Sequence, residues 1–157
     1  MSLATLNKVN SKLSEWGLSS IKKPKPVEYI LNMDYRKIDN LDLKRIDQIL
    51  VILGQYQIYL QTQLNLWSMR KRRFKERYER ELNRAAKDMN GKTLAAKKAE
   101  ALEKNEELKS LLEKYDEAAS CVDLLYKIPD AIADLMINFR KIRDSKESEL
   151  KMSWKER

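Results

Sequence analysis

The stretch from Leu41 to about Met89 most constrains the fold, because it contains no proline and a single glycine, Gly54. Apolar residues recur in it at steps of three and four, with one step of seven, which keeps them on one helix face. These residues are Ile46, Ile49, Leu53, Tyr56, Leu60, Leu64, Trp67, Phe74, Tyr78, Leu82, Ala85 and Met89. The pattern predicts one uninterrupted helix, ~70 Å long at ~1.5 Å per residue, with Asp39 or Asn40 as its N-cap.

Additional apolar residues occur in the first half of this helix. They are Ile52, Ile58, Tyr59 and Leu66. We therefore expect the first half to be buried on two sides, whereas the second half has one apolar face.

Two further helices are predicted downstream. Asn90-Gly91 is typical of a helix stop and Thr93 of the next N-cap, so a second helix is expected from Thr93 to about Lys127. Ile128-Pro129 marks a break, and a third helix is expected from Asp130 to about Trp154 with a polar end that frays or extends.

These elements predict an all-α fold. The two long helices form an antiparallel hairpin, and the third helix packs with the N-terminal pieces on its apolar base. The hairpin tip, roughly 70–110, has little apolar surface and protrudes or packs against other subunits. The excess apolar surface at the other end favours a homo-oligomer.

The N-terminal region is expected to divide into a helix and an extended arm. Residues 1–16 form an amphipathic helix whose apolar face consists of Leu3, Leu6, Val9, Leu13 and Trp16. Residues 17–26 read as a linker, and residues 27–35 alternate as in a strand, or as an extended arm lying on the helices. The predicted segments are 1–16, a linker and arm at 17–38, and the helical domain at 39–157.

Composition argues against catalysis. The 157 residues include no His and one Cys, Cys121, and there is no Gly-rich phosphate loop. We therefore expect a protein that is not an enzyme and has no cofactor and no metal site. The single Cys fits a reducing compartment, and the lack of a secretory signal and of a ~20-residue apolar run predicts a cytoplasmic protein without membrane association.

Charge points to an acidic partner. The formal net charge is +8, and the sequence RKRRFKERYER at 70–80 contains seven Lys or Arg residues. At ~100° per residue, six cations fall within an arc of about 100°, which we call the basic ridge. Its members are Arg70, Arg73, Arg77, Arg80, Arg84 and Lys87. Phe74 and Tyr78 lie on another arc and are expected to face the hairpin seam.

Two interpretations of the basic ridge stay open. The pairs Arg72–Glu76, Lys75–Glu79, Glu76–Arg80, Arg77–Glu81 and Arg84–Asp88 are spaced for helix-stabilising ion pairs of ~0.2–0.5 kcal/mol each, which describes a solvated face. Arg70 and Lys87 have no acidic residue three or four positions away, and arginine suits bidentate phosphate contact. The second interpretation is nucleic-acid binding through the backbone, sensitive to salt and weakly selective for sequence.

Several short patterns resemble the UvsY-type recombination mediators of tailed phages. They are Tyr56-Gln-Ile-Tyr59-Leu60, a Lys/Arg-rich helix ending at Gly91, the step Lys92-Thr93, and Asp130-Ala131-Ile132 followed by a basic helix. The resemblance covers about residues 50–145. It implies a helical ring oligomer that binds single-stranded DNA and helps a recombinase replace a single-strand-binding protein. The family's DNA-contacting motif lies where this sequence has Arg80, Arg84 and Lys87.

Taken with the basic ridge, this resemblance implies an oligomeric single-stranded-DNA-binding recombination accessory protein that acts in DNA repair. The partners it implies are single-stranded DNA, further copies of the chain, a recombinase and a single-strand-binding protein. The apolar face of the N-terminal helix is expected to dock a partner protein or to fold onto its own domain. The alternative class is a structural scaffold, adaptor or virion-associated oligomer without a nucleic-acid role.

Overall fold

The computed structural model describes residues 3–15, 20–34, 38 and 40–155. In this part of the chain all regular structure is helical, which confirms the all-α class. The helices are α1 (Leu3–Glu15), α2 (Lys25–Leu31), α3 (Leu43–Ala85), α4 (Leu94–Lys104), α5 (Glu106–Leu125) and α6 (Ile128–Lys155). A short 3₁₀ turn, Ala86–Asp88, follows α3.

The chain forms two compact units. The terminal unit comprises Met1–Thr62 and Leu125–Arg157, and the central unit comprises Gln63–Leu124. Helix α3 contributes its first part to the terminal unit and its second part to the central unit.

The expected strand at 27–35 is wrong, because Lys25–Leu31 forms α2. Pro26 lies in the first turn of α2, where its missing N–H costs no hydrogen bond and its fixed φ favours a helix start. The structure buries Val27 and Ile30, which are three residues apart, and leaves Tyr29 exposed. The helical spacing of three residues therefore decides which side chains are buried, and the alternation of two does not. Tyr35, the last residue of the expected strand, lies outside the described residues.

The segment between α1 and α2 is fixed by hydrogen bonds where it is described. The Asn10 amide donates to the Ile21 carbonyl and accepts from the Ile21 N–H, at 3.1 and 2.7 Å. The Lys22 N–H donates to the Tyr59 hydroxyl at 3.2 Å. Because Ile21 is also buried, residues 20–24 lie against α1 and α3 within the terminal unit.

The core of the terminal unit contains large apolar side chains. They come from α1, α2, the first part of α3 and α6, and include Leu13, Ile30, Ile49, Leu53, Ile132 and Phe139. At the surface, Arg143 Nε lies 2.7 Å from Asp47 Oδ1 and joins α6 to α3. This ion pair is exposed, so we assign the stability of the unit mainly to apolar burial.

The N-cap of α3 lies two residues after Asn40 and three after Asp39, the two caps expected from the sequence. Asp42 accepts the Arg45 N–H through its carboxylate at 2.6 Å, which makes Asp42 the N-cap. The expectation that the first half of this helix is buried on two sides holds only in part, since Ile52 and Tyr59 are half-buried. Val51 and Ile58 are 60% and 70% exposed, so this part of the apolar surface of α3 is open to solvent.

The central unit contains a loop and a helix break that organise it. Thr93 accepts the Ala96 N–H at 3.2 Å, which confirms the predicted N-cap of α4. The expected continuous second helix is instead divided at Asn105, whose side chain accepts from the N–H groups of Glu107 and Leu108. Asn favours such a cap over a helix interior, because its side chain competes for backbone donors.

Helix α6 begins at Ile128, with Pro129 in its first turn, and continues to Lys155. The predicted break before this helix is therefore present. The polar residues near its end stay helical and are linked by side-chain pairs such as Glu147–Lys151, at 2.9 Å.

Candidate nucleic-acid interface

The basic ridge lies on the second part of α3 and in the turn that follows it. Arg70, Arg73, Arg77, Arg80 and Arg84 belong to α3, and Lys87 belongs to the 3₁₀ turn. All six side chains are exposed in the structure. The helical period therefore places their charges on a surface that solvent and a polyanion can reach.

Five of the six cations form no ion pair within the described residues: Arg70, Arg73, Arg80, Arg84 and Lys87. Arg77 is paired, with its Nη2 atom 3.0 Å from Glu107 Oε1 on α5. Arg70 lies over the ring of Trp67, with the guanidinium carbon 4.6 Å from the ring centroid. The free members can bind phosphate oxygens without first breaking an internal ion pair.

The competing helix-stabilising pairs form only in part. Arg72 Nε lies 2.8 Å from Glu76 Oε1, and Lys75 Nζ lies 3.9 Å from Glu79 Oε1. Both of these cations are outside the ridge. The expected pairs Glu76–Arg80 and Arg77–Glu81 are not formed among the residues that the structure describes, because Glu76 binds Arg72 and Arg77 binds Glu107. The expected pair Arg84–Asp88 is also not formed there, and Asp88 lies in the 3₁₀ turn beyond α3.

Electrostatics around the ridge differ from one side of α3 to the other. The hydrogen bond to Glu76, together with its negative charge, raises the pKa of Arg72. No such partner neutralises the ridge cations that lack an ion pair. The charges of Arg72 and Lys75 are therefore partly compensated, whereas those of Arg73, Arg80 and Arg84 are not.

Aromatic residues near the ridge contribute to packing. Phe74 and Tyr78 are half-buried, as are Leu82 and Met89 on the same arc. This placement agrees with the predicted inward arc and leaves the guanidinium groups, rather than aromatic platforms, as the exposed chemistry.

Two contacts of the ridge were not foreseen from the sequence. The cation–π contact of Arg70 with Trp67 has a local signal, since the residues are three apart on a helix. The Arg77–Glu107 pair has none, because its members are 30 positions apart and belong to helices whose register follows from tertiary packing.

The predicted partner-docking face lies on α1. Val9 and Leu13 are buried, whereas Leu3 and Leu6 belong to α1 but their side chains lie outside the described part, as does Trp16. In this conformation Val9 and Leu13 are covered by the chain itself, and the docking role of the five residues stays a prediction.

Other chemistry is sparse in the described residues. They contain no group of three or more His, Cys, Asp or Glu side chains arranged to hold a metal ion. Cys121 is buried, and this burial, with the charge of Glu117, raises the pKa of its thiol to about 11, while Arg70 opposes the shift. A thiol with so high a pKa is protonated at neutral pH and is a poor nucleophile.

None of the described helices combines the length and the apolar character that crossing a bilayer requires. No protein-family model, curated protein or solved structure matches the chain.

Proposed function

We propose that this protein binds single-stranded DNA through the basic ridge and acts as an oligomeric recombination accessory. The observation that carries the proposal is the set of six exposed cations on one side of α3 and its following turn, five of them without an ion pair in the described chain. A helix surface maintained only for solubility is expected to pair its cations with its own acids.

The chemistry of the ridge favours contact with the nucleic-acid backbone. Five of its six members are arginine, which binds phosphate in a bidentate manner. The described surface presents no side-chain arrangement specialised for reading base edges, so binding depends on phosphate charge and on counterion release. The preference for single strands rests on the resemblance to UvsY-type mediators, which also implies a recombinase and a single-strand-binding protein as partners.

Oligomerisation is the second part of the proposal. Between Asp47 and Arg70 the chain contains no charged residue. In the terminal unit this stretch exposes Val51 and Ile58, which are seven residues apart. A spacing of seven places both side chains on one helix face, as in helix–helix interfaces. A second copy of the chain covers this face, and several ridges then act together through effective concentration.

The hairpin is the third part. The Arg77–Glu107 contact links the second part of α3 to α5 within the central unit and supports this arrangement. An antiparallel hairpin is the simplest arrangement of these elements, and it presents the ridge on its outer side.

The test is a salt titration of single-stranded DNA binding. The variant Arg73→Ala/Arg80→Ala/Arg84→Ala removes three cations that have no ion pair in the described chain. At ~0.7 counterions per phosphate contact on a single strand, its slope of log K against log salt falls by about 2. Solution mass is measured in parallel and stays unchanged.

A matched control removes the same charge elsewhere in the central unit. Arg72→Ala/Lys75→Ala/Lys109→Ala deletes three cations that are paired with Glu76, Glu79 and Glu106. Its salt slope is expected to stay close to that of the unmodified protein. Equal slopes for the two triple variants would show that net charge, and not the ridge, governs binding.

A structural role is the second candidate, and the Arg77–Glu107 pair favours it. In this contact a ridge arginine forms an ion pair with a carboxylate from another helix. In a scaffold or adaptor, acidic residues of a neighbouring copy would bind the unpaired ridge cations in the same way. In that case Arg73→Ala/Arg80→Ala/Arg84→Ala, the ridge variant, dissociates into smaller species with a lower solution mass. The unmodified protein then binds no DNA at low salt.

A further inference from the structure

A second site lies in the terminal unit, where α2 meets α3. Here a cavity of about 310 Å³ opens to solvent, a size at the lower end of the range for ligand pockets. Its apolar wall is formed by Pro26 and Val27 on α2 and by Ile52 and Tyr56 on α3. Lys22, Gln55 and Tyr59 supply the polar groups of the wall.

The two tyrosines leave hydrogen-bonding capacity unused at this wall. The rings of Tyr56 and Tyr59 are stacked, with centroids 5.9 Å apart. Tyr56 is buried, and its hydroxyl has no hydrogen-bond partner in the described part of the chain, which is costly for an enclosed polar group. The Tyr59 hydroxyl accepts the Lys22 N–H at 3.2 Å, and its own proton has no acceptor among the described residues.

One lysine lines the cavity and a second lies beside it in the sequence. Lys22 belongs to the wall, and Lys25 lies between Pro24 and Pro26, which both line the cavity; the two lysines are exposed and form no ion pair in the described chain. The segment 20–31 contains three lysines and one acidic residue, Glu28, so its net charge is +2.

We propose that this cavity binds a large apolar side chain, and that the lysines around it bind the acidic residues on either side of that side chain in a segment of a partner protein. Lys22 and Lys25 are spread along the chain over about 10 Å at ~3.3 Å per residue. Two cations at this spacing match a segment with several carboxylates better than a small molecule with one. The apolar wall then supplies affinity, and the lysines supply selection by charge.

The proposed site is separate from the basic ridge and does not depend on the proposed DNA binding. It is also distinct from the apolar face of α1, since Val9 and Leu13 of that face are buried already. The partner therefore meets a preformed cavity, and α1 keeps its place in the terminal unit.

The test uses fluorescein-labelled acidic heptapeptides, each with three Asp or Glu residues on both sides of a central Phe, Trp, Leu or Met. Fluorescence anisotropy with the full-length protein is expected to show saturable binding for at least one of them. Replacing the central residue by Ala weakens that binding at least about tenfold, which corresponds to ~1.4 kcal/mol. Absence of binding by the whole set, or equal binding by the Ala peptide, overturns the proposal.

Protein variants locate the binding. Gln55 is exposed, so Gln55→Trp fills the cavity from its edge without disturbing the core, and peptide affinity falls at least about tenfold. Gln48→Trp, also at an exposed position on α3 but outside the cavity wall, is the matched control and retains binding. Lys22→Glu/Lys25→Glu reduces affinity and its salt dependence. Unchanged binding by Gln55→Trp refutes the cavity as the site.

The ridge variant separates this proposal from the proposed function. Arg73→Ala/Arg80→Ala/Arg84→Ala is expected to bind the peptide as the unmodified protein does, even if its DNA binding is lost. If that variant loses the peptide, the acidic residues occupy the ridge and the assignment to the cavity is wrong. Displacement of the peptide by free benzoate at equal concentration would identify a small aromatic acid as the occupant and would likewise refute the partner segment.

Discussion

The two units of this chain bury very different side chains. Among the described residues, sixteen apolar side chains are buried in the terminal unit, and none of them is alanine. Nine are isoleucine or valine, and Phe139 and Tyr56 also belong to the set. The central unit buries seven, and four of these are small: Ala86, Ala101, Ala118 and Cys121. Burial of large side chains stabilises the terminal unit, whereas the small buried side chains of the central unit require its helices to approach closely.

This difference separates stability from the proposed binding. In the central unit, a narrow apolar seam leaves much of the helical surface to charged residues, and the basic ridge occupies that surface. In the terminal unit, apolar residues cover more of each helix and also form the exposed face at Val51 and Ile58. A chain of two such units can change its charged surface with little effect on its main core.

The largest expected effect comes from removing bulk from the terminal unit. Phe139 is 2% exposed, so Phe139→Ala leaves a cavity and lowers the free energy of unfolding by about 3–5 kcal/mol. Urea denaturation followed by circular dichroism measures the loss. Ile137→Ala, at a 45% exposed position on the same helix, is the control, and we expect it to cost about 1 kcal/mol, less than Phe139→Ala. Similar losses for both variants would contradict the assignment of the core.

A pair of glycine substitutions sharpens the contrast between bulk and close approach. A Cβ atom at Gly91 would lie 2.7 Å from the Lys97 backbone nitrogen and 2.9 Å from the Ala96 carbonyl carbon. Gly91→Ala therefore forces the loop away from α4 and costs about 1–3 kcal/mol.

Gly54→Ala, in the terminal unit, is expected to stabilise the protein. Its Cβ would meet only the Met136 methyl group, at an ordinary 3.5 Å, and alanine favours the helix by ~1 kcal/mol. Thermal unfolding of both variants compares them directly. A stabilised Gly91→Ala protein would show that the loop of the central unit is not closely packed.

The smallest effect is a pH dependence of the terminal unit. Burial, with a contribution from Tyr59, raises the pKa of Tyr56 from 10.0 to about 12. Above pH 10 the unfolded chain loses this proton and the folded chain keeps it, so stability falls as pH rises from about 10 to about 12. At pH 10.5 the loss is ~1 kcal/mol.

Tyr56→Phe removes this pH-dependent contribution. Its free energy of unfolding should decline less than that of the unmodified protein between pH 9 and pH 10.5, as measured by urea denaturation. At neutral pH the variant is as stable or more stable, because it lacks an enclosed hydroxyl without a partner. Parallel declines for the two proteins would place the Tyr56 hydroxyl in contact with water.

Much of the fold followed from local rules. The long breaker-free stretch, the Thr93 cap and the break before Pro129 all appear in the structure near their predicted positions. The strand at 27–35 was wrong because a short run with apolar residues at both two- and three-residue spacings fits either period. Pro26 and the burial of Val27 with Ile30 decided for the helix. The division at Asn105 was missed because a single polar residue in a helical sequence is a weak signal.

The sequence predicted where the cations of the basic ridge lie but not which acidic residues pair with them. Helical periodicity placed six cations on one side, and all six are exposed. The local spacing rule also proposed Arg77–Glu81, whereas Arg77 binds Glu107 instead. A local pair competes with any acid that packing brings close, and exposed pairs differ by only ~0.5 kcal/mol.

The sequence by itself determined the helical class, most helix limits and the exposure of the basic ridge, because these depend on contacts between residues three or four apart. Tertiary structure alone decided that residues 20–24 bind α1 and α3, that Arg77 is neutralised from α5, and that a cavity forms between α2 and α3. Those features join residues more than ten positions apart. Their geometry depends on how whole helices pack, and no periodic pattern along the chain encodes it.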